Sequence, residues 1–321
     1  MNLRRPWILA SLLGLLCGAA CFAIVTAFHT GAADFTHALV EARALLAGRD
    51  AYAHTPGPYW IPYPIPAAML AMPLAWLPDS LAAGAFIGIS AALLVWGILR
   101  SGEKWRLGML FSWPFLYAVI FAQWSPLLCA IWFFPLLAPL VLAKPNIALP
   151  LVLTSRWRWR AVAIGAAVLA ASLALDPAWP WQWLRQTSQY QGWKPPLLSL
   201  PFGPLILASL WRWRDRRAWL ILSLAAMPQR VFYDQLALLL VAKSERQMFP
   251  LVCSSWVSFV VLWLSPNMAQ MPGGWQLWVV LGHYLPAVAV LLWPNAQAWM
   301  RARMTQARNT TLPTSPALPH A

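Results

Sequence analysis

From Pro6 to Phe28 the chain runs 23 residues without one charged side chain. That is the length an α-helix needs to cross a hydrocarbon core of about 30 Å, at about 1.5 Å per residue. Arg4 and Arg5 precede the run, the charge order of a secretory leader. A leader's apolar region is typically about 7–15 residues, so the length predicts an uncleaved first span. Further apolar runs follow, with the charges gathered in short basic clusters between them. Only 10% of the 321 residues are charged and 60% are apolar, with a mean hydropathy of +0.59. A soluble domain is about 25% charged, so this composition points to an all-α polytopic membrane protein. The net charge of +14 would suggest nucleic acid in a soluble chain. Clusters at the ends of apolar runs point instead to a membrane surface and to no nucleic-acid partner.

Apolar length and basic punctuation predict segments at 7–28, 80–99, 107–122, 125–153, 161–175, 197–211, 218–228, 231–242, 248–265 and 276–293. Several fall short of the roughly 20 residues of a straight span. The pair 218–228 and 231–242 reads as broken or re-entrant around Pro228-Gln229-Arg230, and 125–153 as a kinked helix or a helix plus hairpin at Lys144-Pro145-Asn146. With the N-terminus in the cytoplasm, 17 of the 23 Lys and Arg lie inside, from Arg4 and Arg5 to Arg301, Arg303 and Arg308. Arg43, Arg49, Arg185, Lys194 and Arg230 lie outside and Lys144 within a span. This asymmetry predicts a multi-pass protein of the cytoplasmic membrane with both termini inside. Residues 1–300 form one membrane domain in this reading, and the polar, proline-dotted 301–321 a disordered cytoplasmic tail.

Cys17, Cys21, Cys129 and Cys253 all fall in apolar runs, with no CxxC or Cys/His cluster, which predicts small buried side chains and neither zinc nor a disulfide. The echoing segments Arg156-Trp157-Arg158-Trp159-Arg160 and Trp211-Arg212-Trp213-Arg214 read as interfacial Trp belts with Arg at helix ends.

Chemistry is expected in the outer loops, because the inner ones are short basic turns. The first outer loop, residues 29–79, is the longest and holds Asp34, Glu41, Asp50 and Asp79. Phe35, Leu39, Ala42 and Leu46 recur at helical spacing with Thr36, Glu41 and Arg43 off the stripe, and Gly48 follows as a terminator. This predicts an amphipathic helix lying on the outer face after the first span. Asp34 has two readings: an N-cap of that helix, or a carboxylate fixed at the membrane surface and facing a cavity.

An acidic Asp34-Phe35 pair, the stretch Ala42-Arg43-Ala44-Leu45-Leu46-Ala47-Gly48-Arg49-Asp50-Ala51-Tyr52, the turn Tyr63-Pro64-Ile65-Pro66 and the run Pro73-Leu74-Ala75-Trp76-Leu77-Pro78 occur in that order. Gln123-Trp124-Ser125-Pro126, Lys144-Pro145 and Tyr233-Asp234 follow. In this series the chain resembles glycosyltransferase family 87, polyprenyl-phosphate-mannose-dependent mannosyltransferases of the GT-C superfamily. The resemblance spans roughly residues 30–240. Tyr63-Pro64-Ile65-Pro66 stands where the family has Tyr-Pro-Pro, and Ala122-Gln123 where it has Gly-Gln.

The resemblance implies a GT-C-like helical bundle that moves a hexosyl, most simply mannosyl, residue from a polyprenyl-phosphate sugar to a lipid or glycan acceptor on the outer face. It implies Asp34 as the base and no cofactor beyond the donor substrate. No Asp-x-Asp motif is present, which disfavours a metal-bound nucleotide sugar. A departing lipid phosphate needs cations. Lys144 and Arg230 are the first candidates, beside Pro-containing apolar segments, with Arg43 and Lys194 behind them. His37, His54, Tyr63, Gln123, Tyr233 and Asp234 are candidate sugar or acceptor contacts. Two other classes fit the residues: a transporter or flippase for a lipid-linked glycan, and a shortened non-catalytic relative acting as a partner subunit.

Overall fold

The structure is a computed structural model that describes residues 6–53, 62–188, 194–228, 232–265 and 274–293. Its described residues form helices, turns and 3-10 segments, with no strand among them. Among the described residues four helices are long and apolar enough to cross a membrane: α1 (Pro6–Ala27), α4 (Asp79–Arg100), α11 (Glu245–Leu264) and α12 (Gln276–Trp293). Between α1 and α4 lie α2 (Thr36–Leu46) and α3 (Ile65–Ala71). A fifth crossing forms if α8 (Trp159–Leu175) is counted with α9 (Trp179–Ser188), which turns away from it by 90°.

The core begins with α1 against α4. Both carry glycines four residues apart, Gly14 and Gly18 on one, Gly84 and Gly88 on the other, and these meet in antiparallel register. A Cβ on Gly14 would lie 2.6 Å from the Gly88 carbonyl oxygen, and one on Gly84 2.8 Å from that of Gly18. Where lipid is the solvent, backbone approach of this kind is what holds two helices together. Helix α4 also has Asp79 in its first turn and Arg100 in its last, charges that suit the helix macrodipole.

The 22 residues of α4 span roughly 33 Å, close to the hydrocarbon thickness, so its ends mark two faces of the molecule. At the Asp79 end Arg43 donates to Asp79 Oδ1 (2.6 Å) and to the carbonyls of Ala75 and Leu77. This clamps α2 to the turn that starts α4, and removes Arg43 from the candidate phosphate ligands. At the Arg100 end the buried Arg106 bonds Glu103 (2.7 Å) and the Leu240 carbonyl (3.0 Å). The buried Arg217 bonds Asp215 (2.6 Å) and the Val241 carbonyl (2.8 Å). The basic clusters around residues 100–106, 212–217 and 243 therefore share one end, as the charge pattern predicts.

Several expected segments are not straight spans. Residues 107–122 divide into a 3-10 segment, Lys104–Phe111, and α5 (Trp113–Ile120), whose start is capped by Ser112. Residues 125–153 become α6 (Ser125–Cys129), two 3-10 segments and α7 (Pro145–Thr154). The cause is legible: Pro126, Pro135, Pro139, Pro145 and Pro150 each remove a backbone donor, and recurring this densely they interrupt the helix again and again, whereas α11 tolerates its single Pro250. Residues 203–212 and 232–241 are likewise 3-10 segments, and α10 (Arg216–Ala226) is too short to cross. The break proposed at residues 228–230 and the tail 301–321 fall largely or wholly outside the described residues. The four cysteines are free; Cys21 and Cys129 are buried, whereas Cys253 is exposed on α11.

Candidate active site

Asp34 sits in a single 3-10 turn, Ala33–Phe35, between α1 and α2. It does not cap α2: the residue in the cap position is Phe35, with no side-chain cap. The carboxylate goes elsewhere. Its Oδ2 accepts a hydrogen bond from the Tyr63 hydroxyl at 2.7 Å. Lys144 Nζ donates to the same Tyr63 oxygen at 3.0 Å and lies 3.7 Å from Asp34 Oδ2. The His37 ring nitrogen is 4.0 Å from Oδ1, one helical turn on. Three residues that sequence separates by 29 and 81 positions thus converge on one oxygen pair.

Each partner is positioned by a different part of the fold. Phe35 is buried and stacks on Phe86 of α4, ring centroids 4.2 Å apart, which pins Asp34 to the first face. The Asp34 amide donates to the Phe121 carbonyl (3.1 Å), so the turn after α5 forms a wall of the site. Ala33 and Ala122 flank this contact with φ of +50° and +48°, a left-handed conformation that is strained for residues with a Cβ. Trp124, fully buried two residues on, stacks against the Tyr63 ring at 5.5 Å. Lys144 lies at the break before α7, as that helix's N-cap residue. The ammonium beside Asp34 is thus carried by the residue at the positive end of a helix dipole.

Tyr63 itself is held by its backbone. Its N–H donates to Glu41 Oε1 at 2.8 Å, and its carbonyl accepts from the Tyr52 hydroxyl at 2.9 Å. The preceding Pro62 carbonyl accepts from Trp183 Nε1 (3.1 Å), and Gln186 of the same helix donates to the Tyr52 carbonyl. The Trp-rich α9, bent across the end of α8, is thereby a brace for the tyrosine. Burial pushes the Tyr52 phenol up, with the charges of Glu41 and Asp176 adding to it, so it remains a donor.

The structure corrects the amphipathic reading of α2. Its buried face is Ala38, Leu39, Glu41 and Ala42, whereas Leu46 is 46% exposed. Glu41 is 1% exposed, with Oε2 unpartnered. Burial pushes its carboxyl well above the usual carboxylate range, against the opposing Tyr63 N–H bond. The signal missed was the small residues beside it. Ala38 and Ala42 leave room on that side of the helix for an acid to reach the Tyr63 backbone.

Of the other expected contacts, Gln123 is buried in the turn beside Trp124, with Oε1 unpartnered. Asp234 is 1% exposed on the 232–241 segment, which packs against α5 and α6. For Tyr233 the structure describes the backbone alone, and His54 and Arg230 lie outside the described residues. No group of three or more metal-ligating side chains occurs among the described residues. Comparison of the chain with protein-family models, curated proteins and solved structures finds no match.

Proposed function

We propose that the protein is a GT-C-type membrane glycosyltransferase that moves a hexosyl residue from a polyprenyl-phosphate sugar to a lipid or glycan acceptor. The one observation that carries this reading is the Asp34–Tyr63–Lys144 cluster, a carboxylate and an ammonium sharing a phenol at one end of a membrane-length helix. In this reading that end faces the outer side of the cytoplasmic membrane, because the opposite end carries the basic excess.

Asp34 takes the proton of the acceptor hydroxyl, and the acceptor oxygen forms a bond to the anomeric carbon. The bond from that carbon to the phosphate oxygen breaks, and the electron pair leaves with the lipid phosphate. Lys144, at the N-cap of α7, supplies positive charge already in place where the phosphate charge develops. Tyr63 orients the carboxylate and bridges it to the ammonium, which lies 3.7 Å from Asp34 Oδ2. Mannose as the sugar rests on the family resemblance. Arg230, as a second phosphate ligand, rests on its place beside a proline-containing apolar segment.

The test is transfer itself. Membranes containing the full chain, supplied with a radiolabelled polyprenyl-phosphate mannose, should yield a labelled product in which the sugar has left the phosphate. Movement of intact donor across the bilayer with no new product would make the protein a transporter and overturn the proposal. Neither product nor movement with any lipid-linked sugar would favour a non-catalytic subunit.

A further inference from the structure

The basic end of the molecule holds an open cavity of about 850 Å3, lined by Trp211, Arg212, Trp213, Arg214, Asp215, Arg216 and Lys243. That volume is within the usual range of ligand sites, about 300–1,000 Å3, but the lining is charged rather than apolar. Four cations face one carboxylate. Asp215 is already engaged, with both oxygens bonded to the buried Arg217 at 3.0, 3.1 and 2.6 Å. Lys243 also donates to it at 3.4 Å, and Arg212 pairs with it at 4.0 Å. Arg217 is spent on this pair and on the Val241 carbonyl, and one carboxylate is shared by the cations of the lining, which keeps a net positive charge.

The cations are also held in place. Arg216 lies over the Trp132 ring at 4.0 Å, and Arg214 over Trp213 at 5.1 Å. Burial first, and then the charge of Arg106, pull the Arg216 guanidinium below its usual value, with Glu103 opposing them. Beside the cavity the 203–212 segment leaves Leu205, Leu207, Leu210 and Trp211 exposed, at 53%, 45%, 45% and 80%. Charge surplus and an apolar track stand next to one another on one segment. Snorkelling arginines at a helix end do not explain the convergence of residues 212–216 with Lys243.

We propose that this cavity binds the phosphate of an anionic phospholipid, with the acyl chains laid along the 203–212 segment. The site is independent of the Asp34 chemistry and lies at the other end of α4. Phosphate diesters suit converging guanidinium groups, and the exposed leucines favour a lipid over a nucleic acid, which has no use for them. A net anionic lipid is favoured over a zwitterionic one, because each basic side chain near the headgroup adds attraction that a neutral headgroup cancels.

The test uses the full-length protein in detergent, titrated with phosphatidylglycerol or phosphatidylcholine and read by native mass spectrometry. Phosphatidylglycerol should bind about 10-fold tighter or more. The Arg214→Gln, Arg216→Gln, Lys243→Gln triple variant should lose that preference. Arg100→Gln, a basic residue at the same end outside the lining, should keep it. If the triple variant does not fold, Arg214→Gln alone, on an exposed side chain, should still reduce the preference by roughly threefold. Equal binding of the two lipids by the wild type, or an unchanged preference in the variants, would overturn the proposal. So would displacement of phosphatidylglycerol by inorganic phosphate at equal concentration, which would make this a free-phosphate site.

Discussion

The two ends of α4 each hold a buried or half-buried carboxylate beside a cation, yet they are built to opposite effect. At the basic end Asp215 is enclosed by Arg217: the guanidinium bonds both its oxygens, and the Arg217 amide donates to Oδ1, so that Asp215 also caps α10. Burial would raise this carboxyl, but the hydrogen bonds and charge of Arg217, with Lys243, hold it well below the usual range. At the other end Asp34 and Lys144 share the Tyr63 phenol, and the ammonium pairs with Oδ2 at the longer distance of 3.7 Å. Glu41 Oε2, Gln123 Oε1 and Trp124 Nε1, all in elements that build that end, are buried and unpartnered. A closed bidentate pair holds structure together. Longer, shared contacts with unpartnered polar groups in the elements around them leave hydrogen-bonding capacity for a substrate, which is the physical content of the contrast.

Breaking the closed pair should have the largest effect on folding. Arg217→Met leaves Asp215 without its principal partner and two backbone elements untied, and should lower stability by about 3 kcal/mol. Thermal unfolding of the purified protein checks this, and transfer per folded molecule should stay near wild type. Lys144→Gln should show the reverse pattern: near-normal unfolding, with transfer from a polyprenyl-phosphate donor reduced about 10²-fold. If instead Lys144→Gln unfolds the protein while Arg217→Met abolishes turnover, the assignment of the two ends is reversed.

A smaller effect is expected midway between them. Gly18→Val forces a branched side chain against the Gly84 carbonyl, 2.6 Å from where its Cβ would sit, and should cost about 2 kcal/mol of stability. Alanine there should cost less, and an unchanged midpoint for valine would mean that α1 and α4 do not approach as described.

Glu41→Gln should be the mildest change, and its sign depends on pH. The ordinary carboxyl value is 4.5 and burial raises it, so above pH 4.5 the unfolded chain releases a proton that the folded chain keeps. Stability of the wild type therefore falls as pH rises through that window, while the amide carries no such linkage. The difference in midpoint between Glu41→Gln and wild type should shift in favour of the amide from about pH 5 to about pH 8. A pH-independent difference would mean that Glu41 is ionised in the fold. Because Glu41 anchors Tyr63, it is a poor control for loss of a loop carboxylate. Asp50, which only accepts from the nearby Tyr52 amide, is a better one.

Long uninterrupted apolar runs were the most legible part of the chain. Residues 7–28 and 80–99 differ by a residue at each end from α1 and α4, because nothing in them interrupts helix. The region 125–153 was less so: its apolar length suggested crossing, while its prolines dictated short pieces. The paired glycines of α1 and α4 were present in the sequence, but spacing on one helix does not name its partner. In the candidate site, Asp34, Tyr63 and Lys144 were each expected, but their mutual contact was not. Lys144 was expected on a phosphate, and a contact across 81 residues has no local signature. Glu41 was assigned to the polar face because periodicity counts a glutamate as outward, and only the backbone of Tyr63 explains its burial.

The central claim is that Asp34 is a base rather than a tether for Tyr63. Asp34→Asn keeps the size of the side chain and an oxygen that can accept from the Tyr63 hydroxyl, so unfolding and membrane insertion should match wild type. Sugar transfer measured beside Asp50→Asn should fall about 10²-fold or more for Asp34→Asn and stay near wild type for Asp50→Asn. Normal transfer by Asp34→Asn would contradict the account, and loss in Asp50→Asn instead would move the base to another carboxylate of the same loop.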